Sequence, residues 1–261
     1  MSGAAVSRAS GAGAPVSVAP APVSVAPVPQ AVPKHGIKAL LGDAAWQRLP
    51  AAVRRRFMDP ARRVDYEGTF EIVRASTLGR LLAWFCRCLG TPVVPRTGTQ
   101  VPALVQVVPT DRGVTWRREY RWSGRPPYVV RSTKVIAADG TLIERLPAGL
   151  CMPLDLCESA GALHFVSRGY YFDIEVPGTR AHLKIPLLSW LSPGVTHVEH
   201  VDEPDGWFRF TLTVTHPLFG EVFHQTGRFS EAGDSYDCRT LDDHRSGIAR
   251  RPRQSLASRD R

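Results

Sequence analysis

Apolar and polar residues alternate over ten positions near the C-terminal end of the chain, in the segment WFRFTLTVTH at 207–216. One set of alternate positions is apolar and ends in His216, and the other is mainly threonine. This period of two predicts a β-strand with one buried face. Sheets with one dry and one wet face are commonly antiparallel, so the segment also indicates an antiparallel sheet.

Similar patterns recur from Thr99 to Phe229, separated by turn signals such as Asp139-Gly140. They predict strands at Gln100–Pro109, Val114–Trp122, Tyr128–Ala137, Thr141–Leu146, Met152–Glu158, Leu163–Ile174, His182–Ile185, Gly194–Val201, Trp207–His216 and Glu221–Phe229. Short connections favour antiparallel neighbours, and a long antiparallel sheet curls. The predicted fold class is β-dominated α+β, an antiparallel meander of about nine or ten strands curled into a barrel or half-barrel.

Two helical segments and one strand are predicted before this meander. Ile37–Phe57 is helical in character, with Pro50 restarting the helix. Val64–Arg74 is a predicted strand, with Gly68 as a bend or bulge. A second helix is predicted from Ser76 or Thr77 to Leu89. The two N-terminal helices are expected to cover one mouth or one face of the sheet.

Both ends of the chain are expected to be disordered tails. Residues 1–33 are rich in Ala, Pro and Val, and APVSVAP occurs at 14–20 and again at 21–27. Residues 245–261 contain six Arg and one Asp. Of the formal net charge of +9, only +3 remains for residues 34–244. That segment is expected to be a single domain, too nearly neutral for a specific nucleic-acid platform.

Cysteine usage and missing motifs narrow the protein class. The chain has five Cys, an odd number, without CxxC or a signal segment, so reduced thiols in a cytoplasmic protein are expected, although a Cys151–Cys157 pair stays open. No apolar run is long enough to span a membrane. No cofactor is predicted, because the sequence has no GxGxxG after a strand, no P-loop, no GxSxG and no HExxH.

Arg118 is the first candidate for a binding residue. It shares one face of the predicted strand VTWRREYRW with Trp116 and Tyr120. A guanidinium among aromatic rings is costly to bury alone. It therefore stacks on the rings near solvent, pairs with a carboxylate, or faces a cavity that receives an anionic group.

Arg168 has a similar setting beside Tyr170, and His164 shares that face. The pattern also fits an arrangement in which this face points to solvent, because Phe165 and Tyr171 make the opposite face just as apolar. Both Arg168 and Tyr170 are candidate ligand-binding residues.

His216 ends the dry face of the opening strand, and such a histidine is most often a structural residue that donates to a carbonyl. His224 follows eight residues later across a predicted turn, so both histidines are candidates for one pocket with Arg118 or Tyr170. A general base needs a partner that the sequence does not supply, so no catalytic residue is predicted.

Two further segments contain residue types that can bind a ligand or a metal. Trp190 lies in the apolar segment Ile185–Leu191, which is a core-covering loop, a lip over a cavity mouth, or a contact with a membrane or a partner. His197 and His200 have a spacing found in zinc sites, but an odd offset on a strand points them to opposite faces. No metal site is predicted.

Several segments in a fixed order resemble one family. They are LLGDAAWQRLPAAVRRRF, the W-x-R-x-Y at Trp116–Tyr120, SRGYYF at 167–172, PLLSWLSPG at 186–194 and FRFTLTVTHPLFGEVFHQTGRF at 208–229. Together they resemble the bacterial DUF4166 family over roughly residues 38–231. The resemblance implies no established activity. It implies a metabolic or lipid-related setting, because family members occur alone or fused behind a dehydrogenase-like NAD(P)-binding domain.

Three hypotheses for function remain. The first is a binding module that holds a hydrophobic or amphipathic small molecule in a β-cup. The second is an interaction or accessory domain for a dehydrogenase-like partner. The third is an enzyme acting on a lipid-like substrate, which is disfavoured without a converging polar pair. A large cavity favours binding or catalysis, whereas a filled interior with an exposed apolar patch favours interaction.

Overall fold

Twelve strands and four short helices make up the residues that the computed structural model describes, which are 36–58, 61–85, 93–179 and 181–233. The helices are α1 (Gly36–Leu41), α2 (Asp43–Arg48), α3 (Ala51–Met58) and α4 (Thr77–Phe85). The strands are β1 (Val64–Ala75), β2 (Gly98–Thr110), β3 (Gly113–Tyr120), β4 (Tyr128–Ile136), β5 (Leu142–Arg145), β6 (Leu150–Ser159), β7 (Ala162–Ser167), β8 (Tyr171–Glu175), β9 (His182–Pro186), β10 (Val195–Asp202), β11 (Phe208–His216) and β12 (Gly220–Glu231).

Ten of these strands close into an antiparallel barrel. Their order is β5-β4-β3-β2-β1-β12-β11-β10-β7-β6, and pairing of β5 with β6 completes the ring. The first and last strands, β1 and β12, are neighbours. The remaining two strands, β8 and β9, form a hairpin that extends from β6. The closed barrel confirms the predicted fold class, and β11 differs from the predicted strand by one residue at its start.

The predicted strand Leu163–Ile174 is divided into β7 and β8. Both pair with β6, through Leu154 opposite Ser167 and Cys151 opposite Tyr171, so the register changes by one residue between them. Gly169, at a φ of 120°, lies in the interruption. This backbone conformation suits glycine and breaks the ladder like a bulge.

The predicted helix Ile37–Phe57 is likewise divided, into α1, α2 and α3. Gly42 separates the first two at a φ of 85°, outside the helical region. Leu49 is extended because it precedes Pro50, which disfavours helical geometry in the residue before it. The second predicted helix corresponds to α4 as far as Phe85, and residues 86–89 lie outside the described residues, as do both predicted tails.

The helices lie at opposite ends of the barrel. At one end, α2 approaches the β6–β7 turn, where Arg48 pairs with Glu158. At the other end, α4 follows β1 and packs against the start of β12 so closely that a Cβ on Gly79 would lie 1.9 Å from the Val222 carbonyl oxygen. The first is called the α3 end, after the helix that follows α2, and the second is called the α4 end. No helix among the described residues has the length and apolarity to cross a membrane.

Candidate functional site

A cluster of polar side chains lies on the inner face of the barrel. Arg118 comes from β3, Ser132 and Lys134 from β4, Glu144 from β5 and His200 from β10. Successive side chains of a strand point to opposite faces, so each of these residues points inward while its neighbours in the strand point outward. They are surrounded by aromatic and aliphatic side chains, so their charges are largely removed from water. The cluster, called here the chamber cluster, is the main chemical feature of the interior.

Lys134 and Glu144 form a buried ion pair across the β4–β5 hairpin. The Lys134 Nζ donates to Glu144 Oε2 at 3.0 Å, and the side chains are 14% and 5% exposed. Burial lowers the pKa of the Lys134 ammonium, against the opposing effect of Glu144. Burial alone would raise the pKa of the Glu144 carboxyl, but the charges of Lys134 and Arg118 outweigh it and hold that pKa below its ordinary value. Glu144 is therefore ionised at neutral pH.

Arg118 is poorly satisfied for a buried cation. The residue is 5% exposed, and its Nη2 donates one long hydrogen bond of 3.5 Å to the Ser132 hydroxyl. Its Nε is buried without a hydrogen-bond partner among the described residues. No carboxylate of that part of the chain lies within ion-pair distance of it, although Glu144 contributes at longer range. The cluster thus holds two cations and one anion.

His200 lies within a cage of rings. Its imidazole is 5.0 Å from the Phe57 ring and 5.3 Å from the Phe210 ring, between centroids. Its Nδ1 is buried with no hydrogen-bond partner among the described residues. Burial and the nearby charges of Arg56, Lys134 and Arg118 lower the pKa of His200 well below 6.5. The ring is therefore neutral at physiological pH and offers no countercharge.

These groups line a small chamber with a volume of about 30 Å³. The apolar part of its wall is formed by Phe70, Val105, Trp116, Met152, Val198, Phe208, Phe210, Leu212 and Phe229. This volume has room for about two water molecules. It is far below the roughly 300–1,000 Å³ of a typical small-molecule pocket. Side chains therefore fill most of the barrel, which is the outcome that favours interaction over the binding of a whole lipid inside it. The chamber fits only a group the size of a carboxylate.

A larger pocket of about 290 Å³ lies at the α3 end. Its wall includes Arg55 and Arg56 of α3, Tyr66 of β1 and Phe208 of β11. Phe208 also lines the chamber, so the two spaces share this ring in their walls. The Arg56 guanidinium lies 3.7 Å from the centre of that ring. This pocket is called the mouth.

The segment from residue 49 to residue 229 matches the model of DUF4166, a domain of unknown function. The chain belongs to the DUF4166 family. The match runs from the residue before Pro50 into β12, so it covers α3, α4 and all or nearly all of every barrel strand. No curated protein matches the sequence.

Besides Arg118, the DUF4166 barrel brings three more of the sequence-predicted residues into its interior. Trp116 lines the chamber and stacks with Phe57 at 6.1 Å. Tyr120 is fully buried and donates to Gln225 Oε1 at 2.9 Å. The Tyr170 hydroxyl lies 2.6 Å from the Thr196 hydroxyl, and Thr196 itself lines the chamber.

His216 and Trp190 lie together at the α4 end of the DUF4166 barrel, away from the chamber. His216 is buried, but its Nε2 lies 3.3 Å from the Trp190 carbonyl oxygen. Its Nδ1 accepts from the Leu218 backbone N–H at 3.2 Å. Both ring nitrogens are thus occupied by the backbone, which fits the structural interpretation of this histidine. The Trp190 side chain is 57% exposed.

Arg168 and His224 lie on the outside of the barrel. Arg168 is exposed and pairs with Asp155 at 3.2 Å. His224 faces outward on β12, where its Nδ1 lies 3.0 Å from the Thr213 hydroxyl. Neither lines the chamber, since the outward face of a strand cannot contribute to the barrel interior.

His197 and His200 point to opposite faces of β10, as their odd spacing requires. His197 lies outside, with its Nε2 3.0 Å from His164 Nδ1, whereas His200 lines the chamber. In the part of the chain that is described, no three metal-binding side chains converge. Cys151 and Cys157 are free thiols, and Cys86, Cys88 and Cys238 lie outside the described residues.

Sequence reasoning missed Ser132, Lys134, Glu144 and His200. One signal came close for two of them, because Asp139-Gly140 predicts a hairpin between β4 and β5. A two-residue loop there would set Lys134 opposite Arg145, whereas the observed loop 138–140 sets Lys134 opposite Glu144. The signal does not say whether the pair faces water or the barrel. Polar residues on alternate positions normally mark the wet face of a strand.

Proposed function

We propose that this DUF4166 domain is a binding module that receives the anionic group of a small amphipathic molecule in the chamber. The observation that carries the proposal is Arg118, a buried guanidinium with an unpartnered Nε and no carboxylate at ion-pair distance among the described residues. Buried charges are normally paired. A carboxylate in the chamber would supply the missing anion and accept from Arg118.

The net charge of the chamber cluster supports the sign of the ligand. Two cations face one carboxylate, and Glu144 is already engaged by Lys134. Because His200 is neutral, it adds no further positive charge, but its unpartnered Nδ1 remains available for hydrogen bonding. In surroundings of low dielectric, the attraction between a second anion and these cations is stronger than in water, and this attraction has to offset the cost of removing the anion from water.

The sizes of the two spaces support the amphipathic character of the ligand. The chamber of about 30 Å³ accepts a head group only. The mouth of about 290 Å³ has space for part of an apolar chain. Phe208 lines both spaces, so the ligand would enter from the α3 end by displacing this ring and the Arg56 guanidinium stacked on it.

Calorimetric titration with medium-chain and long-chain fatty carboxylates, and with alcohols of equal length, tests the proposal. Arg118→Met removes the charge-assisted hydrogen bond, and affinity for the carboxylate should fall about 10- to 100-fold. Affinity for the alcohol should change much less. Arg168→Met is the matched control, because it removes an exposed guanidinium from the outer face of the same barrel.

Two results would overturn the proposal. One is a wild-type protein that binds none of these carboxylates and carries no acidic molecule in native mass spectra after purification. The other is equal carboxylate affinity in Arg118→Met and the wild type. An accessory role beside a dehydrogenase-like partner stays a prediction, as does activity on a lipid-like substrate.

A further inference from the structure

Six large apolar side chains are exposed at the α4 end, on three elements. They are Leu81 and Trp84 of α4, Leu188 and Trp190 of the segment before β10, and Leu218 and Phe219 of the β11–β12 turn, and each is between 57% and 68% exposed. Single exposed apolar residues are ordinary, but a group of this size marks an interaction surface. This group is called the apolar rim.

Contacts between the three elements place them along one edge of the barrel. His216 joins two of them, because its ring contacts the Trp190 carbonyl and packs 4.8 Å from the Phe219 ring. The third, α4, begins beside β12, where the Ser76 N–H donates to the Val222 carbonyl at 3.0 Å. The β11–β12 turn therefore lies between α4 and the Trp190 segment. The rim follows this edge of the barrel.

A basic groove of about 840 Å³ adjoins the rim at α4. Arg80, Arg96, Arg121 and Arg125 line it, and its wall contains no carboxylate among the described residues. Arg121 pairs with Glu119. The other three have no carboxylate at ion-pair distance in the described part of the chain. Because Arg80 and Leu81 are consecutive on α4, positive charge and exposed apolar surface meet on one helix.

We propose that the apolar rim and the basic groove dock the protein onto the surface of an anionic lipid bilayer. Tryptophan suits the headgroup level of a bilayer, and leucine suits the acyl boundary below it. Arginine beside such residues is attracted to anionic headgroups. A second copy of the chain suits the surface less well, because a symmetric contact would bring two basic grooves together. The mouth lies at the opposite end of the barrel, so this inference is independent of the proposed ligand.

Co-sedimentation of the full chain with vesicles tests the docking. One set is phosphatidylcholine alone, and the other is phosphatidylcholine mixed with phosphatidylglycerol. Arg80→Gln/Arg125→Gln should lower partitioning onto the anionic vesicles about fivefold per arginine. Trp84→Ser/Phe219→Ser should lower it at least about tenfold. Both variants keep the Arg-rich segment 245–261, and Leu40→Ser, an exposed change on α1, should match the wild type.

Three results would overturn the inference. One is a wild type that binds both vesicle types equally. Equal binding by all variants would assign the affinity to the Arg-rich C-terminal segment. A rim variant that changes a dimer to a monomer in light scattering, while vesicle binding stays constant, would assign the rim to a second copy. Circular dichroism of each variant separates loss of docking from loss of fold.

Discussion

Removing the one carboxylate of the chamber cluster should cost far more stability than removing its lysine partner. Lys134 Nζ and Glu144 Oε2 are 3.0 Å apart. At an effective dielectric near 20, charges at that distance attract by roughly 5 kcal/mol before desolvation is counted. Glu144→Gln deletes this attraction and leaves Lys134 and Arg118 buried without a countercharge. The expected loss in free energy of unfolding is therefore about 3–5 kcal/mol.

Lys134→Met leaves one anion and one cation in the cluster. Glu144 keeps Arg118 as a neighbouring cation, and the desolvation of the lysine no longer opposes folding, so the expected loss is below about 2 kcal/mol. The double variant Lys134→Met/Glu144→Gln removes one of the two stranded cations. It should be more stable than Glu144→Gln alone, which is a rescue by a second substitution and not an additive loss.

Urea denaturation at neutral pH measures all three variants. Glu119→Gln is the matched control, because Glu119 also contacts two cations, Arg117 and Arg121, but on the outer face of β3. Its loss should be near 1 kcal/mol, as for ion pairs close to solvent. The reasoning is refuted if Glu144→Gln costs no more than Glu119→Gln, or if the double variant is less stable than Glu144→Gln.

Two further predictions concern His200 and Gly79. Because the folded-state pKa of His200 lies below its unfolded value, the free energy of unfolding should fall as pH drops below about 6.5, with a slope approaching about 1.4 kcal/mol per pH unit from this group. His200→Leu should remove that contribution in urea denaturation at a series of pH values, and an unchanged slope would contradict the assignment. Gly79→Ala places a Cβ against the Val222 carbonyl, so it should lower the free energy of unfolding by about 1–3 kcal/mol. Gly140→Ala is the control for backbone strain without a clash, because Gly140 has open space but a positive φ. Equal thermal stability of Gly79→Ala and wild type would show that α4 is not packed closely against β12.

The sequence predicted local structure well where alternation is strong. In β11, the apolar row from Phe208 to Val214 is buried, as the pattern indicated. Ring closure was harder, because the contacts of β1 with β12 and of β7 with β10 join strands that do not follow one another in the chain. Helix length was also wrong at Gly42, where one backbone conformation outweighs the apolar pattern on either side.

The interior site was only partly predictable, since depth along a strand matters as much as face. Arg118 and His216 both lie on inward faces, and the burial of Arg118 excludes the alternative in which it stacks on the rings near solvent. Arg118 reaches the chamber from the middle of the barrel wall, but His216 is the last residue of its strand and contacts the backbone of the α4 end. Lys134 was missed, and His200 was considered only as a metal ligand, because an inward polar residue looks like an outward one until the register is known.

The chamber cluster is difficult to explain by stability alone. Replacing a buried ionic cluster by apolar side chains of similar volume is often neutral or stabilising, and the surrounding rings already form a well-packed core. Arg118 is the extreme case, because it carries a full charge with an unpartnered Nε. A barrel built only to present the apolar rim at its α4 end would be better served by leucine or methionine at this position. Arg118→Met should therefore separate ligand binding from the other properties. It should remove carboxylate binding, leave vesicle docking intact, and leave the free energy of unfolding unchanged or raise it. If Arg118→Met instead unfolds the protein, the guanidinium is a structural element of the barrel, and the case for a ligand anion loses its main support.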